Sequence, residues 1–242
     1  MIVHPLTIRR PRRRRVLLGV LLVSAFVLIT FRRPLFFANF GVVSEGRVYR
    51  SAQPSGNFAE IVRDKQLKSV LNLRGGSMDD WWYANEIAVS EANRVDYYDF
   101  PMSATRRPSR QELLTLLTFF EKCRYPLLIH CRSGADRTGL ASALYLMEVE
   151  NFGPMEASRA FTIDYGHVPV WDTKKLHEPL DEYRQSLSAE GLSHSPARFR
   201  EWVERDYRSR DRESVVRPLL PGPREKLAEN PRNAPVEVQE DR

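Results

Sequence analysis

The stretch from Pro126 to Gly139, PLLIHCRSGADRTG, decides the fold of this 242-residue chain. Its first part, Pro126–His130, is a short apolar run of the kind that forms a parallel strand buried on both faces. Its last residues open the segment Thr138–Glu150, whose apolar residues fall on one helical face. A strand, a short loop and a helix in this order are typical of α/β proteins with a parallel sheet.

The same alternation of strand and helix patterns extends over residues 41–207, which we interpret as one domain. We therefore expect an α/β fold, with a single mostly parallel sheet flanked by helices. Residues 208–242 hold five prolines among interspersed charges, so we expect a disordered tail there. Beside the central strand, the predicted strands are Arg47–Arg50, Ser69–Leu73 and Tyr97–Pro101, and the predicted helices are Asp79–Asn93, Ser109–Lys122, Thr138–Glu150 and Pro154–Tyr165.

Residues 1–40 have the pattern of a basic N-terminus followed by a membrane anchor. Arginines flank an uncharged apolar run over residues 16–31. A helix of that length spans about 24 Å, against a hydrocarbon core of about 30 Å, and flanking arginines can reach the interface. We expect one N-terminal transmembrane helix, with a cleaved signal peptide or a soluble helix as alternatives. The arginines before the run favour an N-terminus in the cytoplasm, so we expect the remaining chain on the extracytoplasmic side, in a periplasm where the cell has one.

The net charge of +6 belongs to this N-terminus. Residues 1–33 contain eight arginines and no acid. Removing them from the 37 basic residues leaves 29, against 31 acidic residues. A body with so little excess charge lacks the cationic surface of a nucleic-acid-binding protein, so we expect no nucleic-acid partner. The two cysteines exclude a disulfide framework and a Cys-rich zinc module.

The loop between the central strand and its helix has the composition of an anion cradle. Backbone N–H groups at a helix N-terminus converge on one point, where a tetrahedral dianion fits. Cys131 lies at the floor of such a loop, where its thiolate is stabilised. Arg137, at the other end, can grip two phosphoryl oxygens with its planar fork. The expected phosphate-binding residues are Arg132, Ser133, Gly134, Ala135, Asp136, Arg137 and Thr138.

The sequence HCRSGADRTG, residues 130–139, resembles the Cys-x5-Arg-Thr signature of the protein tyrosine phosphatases. Together with VYRSAQP at 48–54 and NLRG at 72–75, it looks like the bacterial, exported dual-specificity-like branch, over residues 42–165. The resemblance implies a dual-specificity phosphatase-like fold and hydrolysis of phosphomonoesters without a metal or other cofactor. It also implies that Cys131 forms a cysteinyl-phosphate while Arg137 and the loop amides stabilise the phosphoryl oxygens.

The general acid departs from the family pattern. Residues 100–108, where the family usually carries an aspartate, contain no Asp or Glu. Asp136, inside the phosphate loop, is the first candidate for this catalytic role. Asp99 and the pair Asp79 and Asp80 are alternatives, although each of these three is better explained as a strand end or a helix start.

The substrate is expected to be a phosphorylated protein, carrying phosphotyrosine and also phosphoserine or phosphothreonine. The alternatives are a phosphoinositide or phospholipid head group, or a catalytically weak, anchored phosphate-binding module. Residues 106, 107 and 110 are arginines that either attract an anionic substrate or form a solvated helix start. We interpret His167 as a packing residue and Cys123 as a buried bystander.

Overall fold

The computed structural model describes residues 11–30, 38–54, 56–168 and 171–208. Its five strands form one sheet in the order β1-β2-β5-β3-β4. Strand β1 is antiparallel to β2, and the other neighbours are parallel. The expectation of a mostly parallel sheet flanked by helices is thus confirmed. The strands are β1 (Gly41–Ser44), β2 (Val48–Ser51), β3 (Ser69–Asn72), β4 (Asp96–Asp99) and β5 (Leu127–His130).

Helices cover both faces of this sheet. The α-helices are α1 (Pro11–Thr30), α2 (Phe58–Asp64), α3 (Trp81–Ala92), α4 (Arg110–Lys122), α5 (Asp136–Glu148), α6 (Pro154–Ala157), α7 (Glu178–Glu190) and α8 (Pro196–Arg205). Three 3₁₀ turns lie at Ser158–Ala160, Ile163–Tyr165 and Trp171–Leu176.

Strand β5 lies between two apolar cores, which explains its unbroken apolar sequence. Leu127 and Ile129 belong to the larger core, which includes residues of α4, α5, α7 and α8. Leu128, on the opposite face, belongs to the smaller core beneath α2 and α3. Successive side chains of a strand point to opposite faces, so a central strand covered on both sides needs apolar residues throughout.

Helix α4 begins where its sequence pattern predicts. Ser109 is the N-cap: its hydroxyl accepts from the N–H of Glu112 at 3.1 Å, and the Glu112 carboxylate accepts from the Ser109 N–H at 2.6 Å. This reciprocal capping box satisfies two N–H groups that the first helical turn leaves without partners. The first turn of α4 is thereby fixed next to the segment that borders the phosphate loop.

The prediction of a single helix over Pro154–Tyr165 is wrong. After one turn of α6 the chain changes to 3₁₀ geometry, and Phe161 has extended dihedral angles. The carbonyl of Ala160 accepts a hydrogen bond from the Arg50 side chain, and the hydroxyl of Thr162 accepts from the N–H of Asp164. Arg50 thus ties Ala160 to another part of the fold, and the hydroxyl of Thr162 caps a new 3₁₀ turn, in place of a continuous helix.

Helix α1 carries the apolar N-terminal segment, and its described side chains from 15 to 29 are exposed. Within the described part of the chain, no helix is long and apolar enough to cross a membrane. The arginines of its first turn shorten the uncharged part of α1, so the expected transmembrane helix is not supported. The predictions for residues 1–10 and for the tail beyond Arg208 lie outside the described residues.

Candidate active site

The nucleophile candidate lies at the carboxyl end of β5, immediately before α5. The Cys131 side chain is buried, and its Sγ accepts a hydrogen bond from the N–H of Gly134 at 3.3 Å. Helix α5 begins at Asp136, so the sulfur faces the positive end of the helix dipole. Cys131 therefore lies at the floor of the loop, next to the N-terminus of α5.

The phosphate loop is in close backbone contact with the end of β2 at Gly134. Gly134 has φ +69°, and a Cβ at this position would lie 2.5 Å from the backbone nitrogen of Ala52 and 2.6 Å from the carbonyl of Ser51. Only glycine combines that backbone angle with such a close approach. The loop can therefore reach its position because residue 134 has no side chain.

Arg50, on β2, fixes the loop from behind. Its side chain is fully buried, and Nη2 donates to the carbonyl of Gly134 at 2.8 Å. Nη1 donates to the carbonyl of Ala160 at 2.6 Å, and the guanidinium lies 3.8 Å from the centre of the Tyr165 ring. Arg50 therefore joins the phosphate loop to the segment that follows α6.

Two further hydrogen bonds hold loop carbonyls on the same side. Asn39 Nδ2 donates to the carbonyls of Ser133 at 2.5 Å and Tyr165 at 2.8 Å. The N–H of Gln53 donates to the carbonyl of Arg132 at 3.2 Å. A trans peptide places its C=O and N–H on opposite sides, so carbonyls held from behind turn the following N–H groups toward the open side of the loop.

Arg137 closes the loop at the start of α5. Its Nη1 donates to the carbonyls of Leu73 at 3.1 Å and Met102 at 3.2 Å, which follow β3 and β4. Its Nε makes no hydrogen bond with the described residues and keeps a donor. Two neighbouring strand ends thus orient the guanidinium at the same edge of the sheet as Cys131.

Asp136, the first-ranked acid, lies between Cys131 and Arg137 in this loop. Its Oδ1 is 2.6 Å from Nδ1 of His167, and Nε2 of His167 is 2.6 Å from Nε2 of His177. The carboxylate remains partly exposed, whereas the His167 side chain is buried. His167 was expected to be a packing residue, and nothing in its local sequence pattern distinguishes it from one.

The alternative candidates for the general acid are Asp99, Asp79 and Asp80, and the partners found for Asp99 and Asp80 lie outside the phosphate loop. Asp99 is buried on β4, where its carboxylate accepts from the hydroxyl of Tyr83 and from Nδ2 of Asn72 at 2.8 Å. Asp80 is the N-cap of α3 and accepts from the N–H of Ser77 at 3.1 Å, and Asp79 beside it is exposed. The interpretation of Asp79 and Asp80 as a helix start fits their positions. The interpretation of Asp99 as a solvated strand end is wrong, because its carboxylate is buried and bound by Tyr83 and Asn72.

Behind Cys131 lies a buried pair that the sequence did not reveal. The imidazole Nε2 of His130 is 3.5 Å from Oε2 of Glu86, and both side chains are inaccessible to solvent. Glu86 also accepts from the Gln53 amide and from the hydroxyl of Tyr97 at 2.5 Å. Burial lowers the pKa of His130 to about 3 and raises the pKa of Glu86 to about 8, so both are mainly neutral at pH 7. The spacing of four residues from Trp82 is the one signal that places Glu86 on the buried face of α3.

The arginines at 106, 107 and 110 join parts of the domain. Arg107 is buried and pairs with Glu182 at 2.6 Å and Glu178 at 2.9 Å, both on α7. Arg106 pairs with the capping Glu112 at 2.6 Å, and Arg110 donates to the carbonyl of Tyr207 at 3.0 Å. Arg107 is buried, so it does not belong to a solvated helix start, and the contacts of the three arginines favour a structural role over attraction of an anionic substrate.

Cys123, the other cysteine, takes no part in this arrangement. Both cysteines are free and buried. Burial raises the pKa of the Cys123 thiol to about 11, which keeps it protonated. The structure therefore agrees with the interpretation of Cys123 as a bystander.

Comparison with known proteins finds a curated relative and solved structures to which the chain is similar. A curated relative, the inositol diphosphatase DSP3 of Arabidopsis thaliana, is 27% identical in an alignment of 107 residues that covers 42% of this chain. The chain spans half the length of that relative. Among solved structures, TpbA of P. aeruginosa in complex with pTyr is 22% identical, with a TM-score of 0.48, over 62% of this chain and 91% of TpbA. PTPMT1 in complex with PI(5)P is 19% identical, with a TM-score of 0.45, over 63% of this chain and 99% of PTPMT1.

The family-level match covers the sheet, the phosphate loop and the segment behind it. A family model described as "DSP-PTPase phosphatase fused to NAD+ Kinase" matches residues 37–165, more than half of the chain. That range includes Arg50 as well as Cys131 and Arg137. The chain therefore belongs to this family of dual-specificity-like phosphatases in the protein tyrosine phosphatase superfamily.

Proposed function

We propose that the protein is a cysteine-dependent phosphatase that hydrolyses phosphomonoesters through a cysteinyl-phosphate intermediate. The observation that carries this proposal is the loop from Cys131 to Arg137. It places a thiol at a helix N-terminus, within hydrogen-bond distance of a loop N–H, and a fixed guanidinium at the far end. This arrangement matches the charge of a phosphoryl group under attack by sulfur.

In the first step, the Cys131 thiolate attacks phosphorus. An S–P bond forms while the P–O bond to the leaving group breaks. The loop N–H groups and the Arg137 guanidinium stabilise the charge on the equatorial oxygens. Protonated Asp136 donates its proton to the leaving oxygen, because an alkoxide or phenoxide is otherwise a poor leaving group.

In the second step, water replaces sulfur on phosphorus. The Asp136 carboxylate accepts a proton from the attacking water, and the S–P bond breaks. Inorganic phosphate and the Cys131 thiolate are the products, so the enzyme returns to its starting state. One carboxyl group therefore acts first as an acid and then as a base.

The substrate we propose is a phosphorylated protein. Phosphotyrosine is the main substrate, and phosphoserine or phosphothreonine is also accepted. A phosphoinositide or phospholipid head group is the second candidate. The Asp-Arg pair within the loop favours that candidate. The head group of a phosphoinositide also contains the inositol ring that is named in the activity of the inositol diphosphatase relative. A phosphotyrosine peptide and a soluble short-chain phosphoinositide, compared at equal concentration, separate the two by their kcat/KM values.

The test of the activity is hydrolysis of an aryl phosphate by the full chain, without added metal. We expect turnover that is lost in Cys131→Ser and strongly reduced in Arg137→Lys, because lysine cannot form the bidentate contact. Wild-type rates in either variant would contradict the mechanism. Phosphate binding without any turnover would instead indicate an anchored phosphate-binding module.

We also propose that the N-terminal segment attaches the protein to a membrane, with the phosphatase domain on the extracytoplasmic side. The exposed apolar side chains of α1 and the arginines before them support attachment. Fractionation of cells, followed by protease treatment of intact spheroplasts, tests both parts. Recovery of the full chain in the soluble fraction would contradict attachment, and protection from protease would contradict the orientation.

A further inference from the structure

A chain of three titratable side chains runs from the phosphate loop toward the start of α7. Asp136 Oδ1 lies 2.6 Å from His167 Nδ1, and His167 Nε2 lies 2.6 Å from His177 Nε2. Both distances are within hydrogen-bond range, and which nitrogen donates depends on the tautomer of each imidazole. The residues come from α5, from the segment after the second 3₁₀ turn, and from the N-cap of α7, so only the tertiary fold brings them together.

The two imidazoles are held by packing. The Phe161 ring lies 3.9 Å from the His177 ring and 5.0 Å from the His167 ring, measured between centroids. A Cβ on Gly139 would lie 2.9 Å from Phe161, so glycine at this position lets Phe161 pack against α5. The His167 side chain is buried and His177 is half-buried.

The two hydrogen bonds of His167 must run in the same direction along the chain of three groups: its protonated nitrogen donates to one neighbour, and its other nitrogen accepts from the other neighbour. A neutral imidazole has one N–H and one acceptor nitrogen. When His167 donates from Nδ1 to ionised Asp136, its Nε2 must accept from His177. When Asp136 is protonated and donates to Nδ1, His167 must donate from Nε2 to His177. A change in the protonation of Asp136 therefore changes the tautomer of His167 and the state of His177.

We propose that Asp136, His167 and His177 work as one proton-sharing unit, with His167 as the positioning residue for the acid. This inference rests on the proposed function of Asp136. When His177 is cationic and Asp136 ionised, two short transfers make all three groups neutral. The Nε2 proton of His177 moves to His167, the Nδ1 proton of His167 moves to Asp136, and His177 keeps its Nδ1 proton. Asp136 then holds the proton that the leaving oxygen needs.

The charges around this unit act in opposite directions. Burial and neighbouring His167 lower the pKa of His177, while Asp181 on α7 and Asp136 raise it, with a net lowering. Arg137 follows Asp136 on α5, and Cys131 lies in the same loop. Because the groups are coupled, the loss of activity at high pH, where the acid is deprotonated, belongs to the unit and not to a single carboxyl group.

The test is the pH dependence of kcat in His167→Asn, measured on the full chain. Asparagine can donate one hydrogen bond to Asp136 and so keep the carboxylate in place, but it cannot titrate or pass a proton from His177. We expect the loss of activity above neutral pH to begin about one pH unit lower than in wild type. At pH 7, phenyl phosphate turnover should fall at least tenfold, and turnover of 4-nitrophenyl phosphate less than threefold, because a good leaving group needs no proton.

A structural role alone gives a different result. Superimposable pH profiles for wild type and His167→Asn would overturn the proposal, since asparagine would then replace histidine fully. Absence of Cys131-dependent turnover in the wild type would overturn the proposed function instead. ¹⁵N NMR of the imidazole rings tests the unit without activity. The His167 and His177 titrations should both shift in Asp136→Asn, and unchanged titrations would contradict the shared proton.

Discussion

The Arg50 guanidinium donates to the carbonyl of Gly134 at 2.8 Å, although the two residues are 84 positions apart. One is on a strand, and the other is at the tightest point of the phosphate loop. The same guanidinium binds the carbonyl of Ala160 and stacks on Tyr165. The geometry of the loop therefore depends on a buried cation that itself contacts no substrate atom in the proposed mechanism.

Arg50→Met should damage both stability and activity. It leaves the carbonyls of Gly134 and Ala160 without their buried donor, and each loss of this kind costs about 1–3 kcal/mol. We expect the free energy of unfolding to fall by about 2–5 kcal/mol and kcat/KM to fall at least tenfold. Urea denaturation and aryl phosphate kinetics measure the two effects. A variant with wild-type stability and kinetics would show that Arg50 does not hold the loop.

Gly134→Ala should be far more harmful than alanine at an unconstrained glycine. The new Cβ would meet the backbone of Ser51 and Ala52 at 2.5–2.6 Å, and the positive φ adds strain. We expect a loss of about 2 kcal/mol or more and of most activity. Gly56→Ala is the matched control, because a Cβ there meets nothing within 4 Å. Equal behaviour of the two variants would refute the tight contact.

Glu86 predicts a specific pH dependence of stability. Its pKa is raised to about 8 by burial, so between its ordinary value and pH 8 the folded state binds more protons than the unfolded state. Glu86 therefore makes stability fall as pH rises, and His130, whose pKa is lowered to about 3, has the opposite effect only below about pH 6.5. Between pH 6.5 and 8, wild type should lose stability relative to Glu86→Gln, by up to about 1.4 kcal/mol per pH unit. Urea denaturation at several pH values measures the free energy of unfolding of both proteins. The same pH dependence in wild type and Glu86→Gln would contradict the buried neutral carboxyl.

Asp136→Asn should affect catalysis according to the leaving group. We expect kcat to fall about 10²- to 10⁴-fold for phenyl phosphate and much less for 4-nitrophenyl phosphate. Asp99→Asn is the comparison, because Asp99 is bound by Tyr83 and Asn72 and should affect stability instead. Equal losses on both substrates in Asp136→Asn would show that Asp136 shapes the loop. A leaving-group effect confined to Asp99→Asn would move the acid to β4.

The sequence predicts what depends on local pattern. The apolar run of β5 and the helical spacing of apolar residues in α4 each carry a signal within a few residues, and both elements are where they were expected. The Cys-x5-Arg spacing likewise places Cys131 and Arg137 at the two ends of one loop, because the strand ends just before Cys131 and the helix begins just before Arg137.

What the sequence did not predict depends on contacts between distant segments. His167 and Glu86 look like ordinary members of their segments until the fold brings them to Asp136 and His130. The break after α6 arises in the same way, because Arg50, 110 positions earlier, binds the carbonyl of Ala160. At the break after α6, tertiary contacts override local helix propensity, whereas at His167 and Glu86 they supply partners that the local sequence does not show.

The most direct measurement of the central claim is detection of phosphate on Cys131. Full-length Asp136→Asn, mixed with 4-nitrophenyl phosphate and quenched in acid within the first turnover, should carry one phosphoryl group on Cys131 by peptide mass spectrometry. The asparagine removes the base for the second step, so the intermediate should accumulate. Cys131→Ser should carry none under the same conditions. Turnover by wild type with no phosphoryl group on Cys131 in any trapped sample would contradict the account.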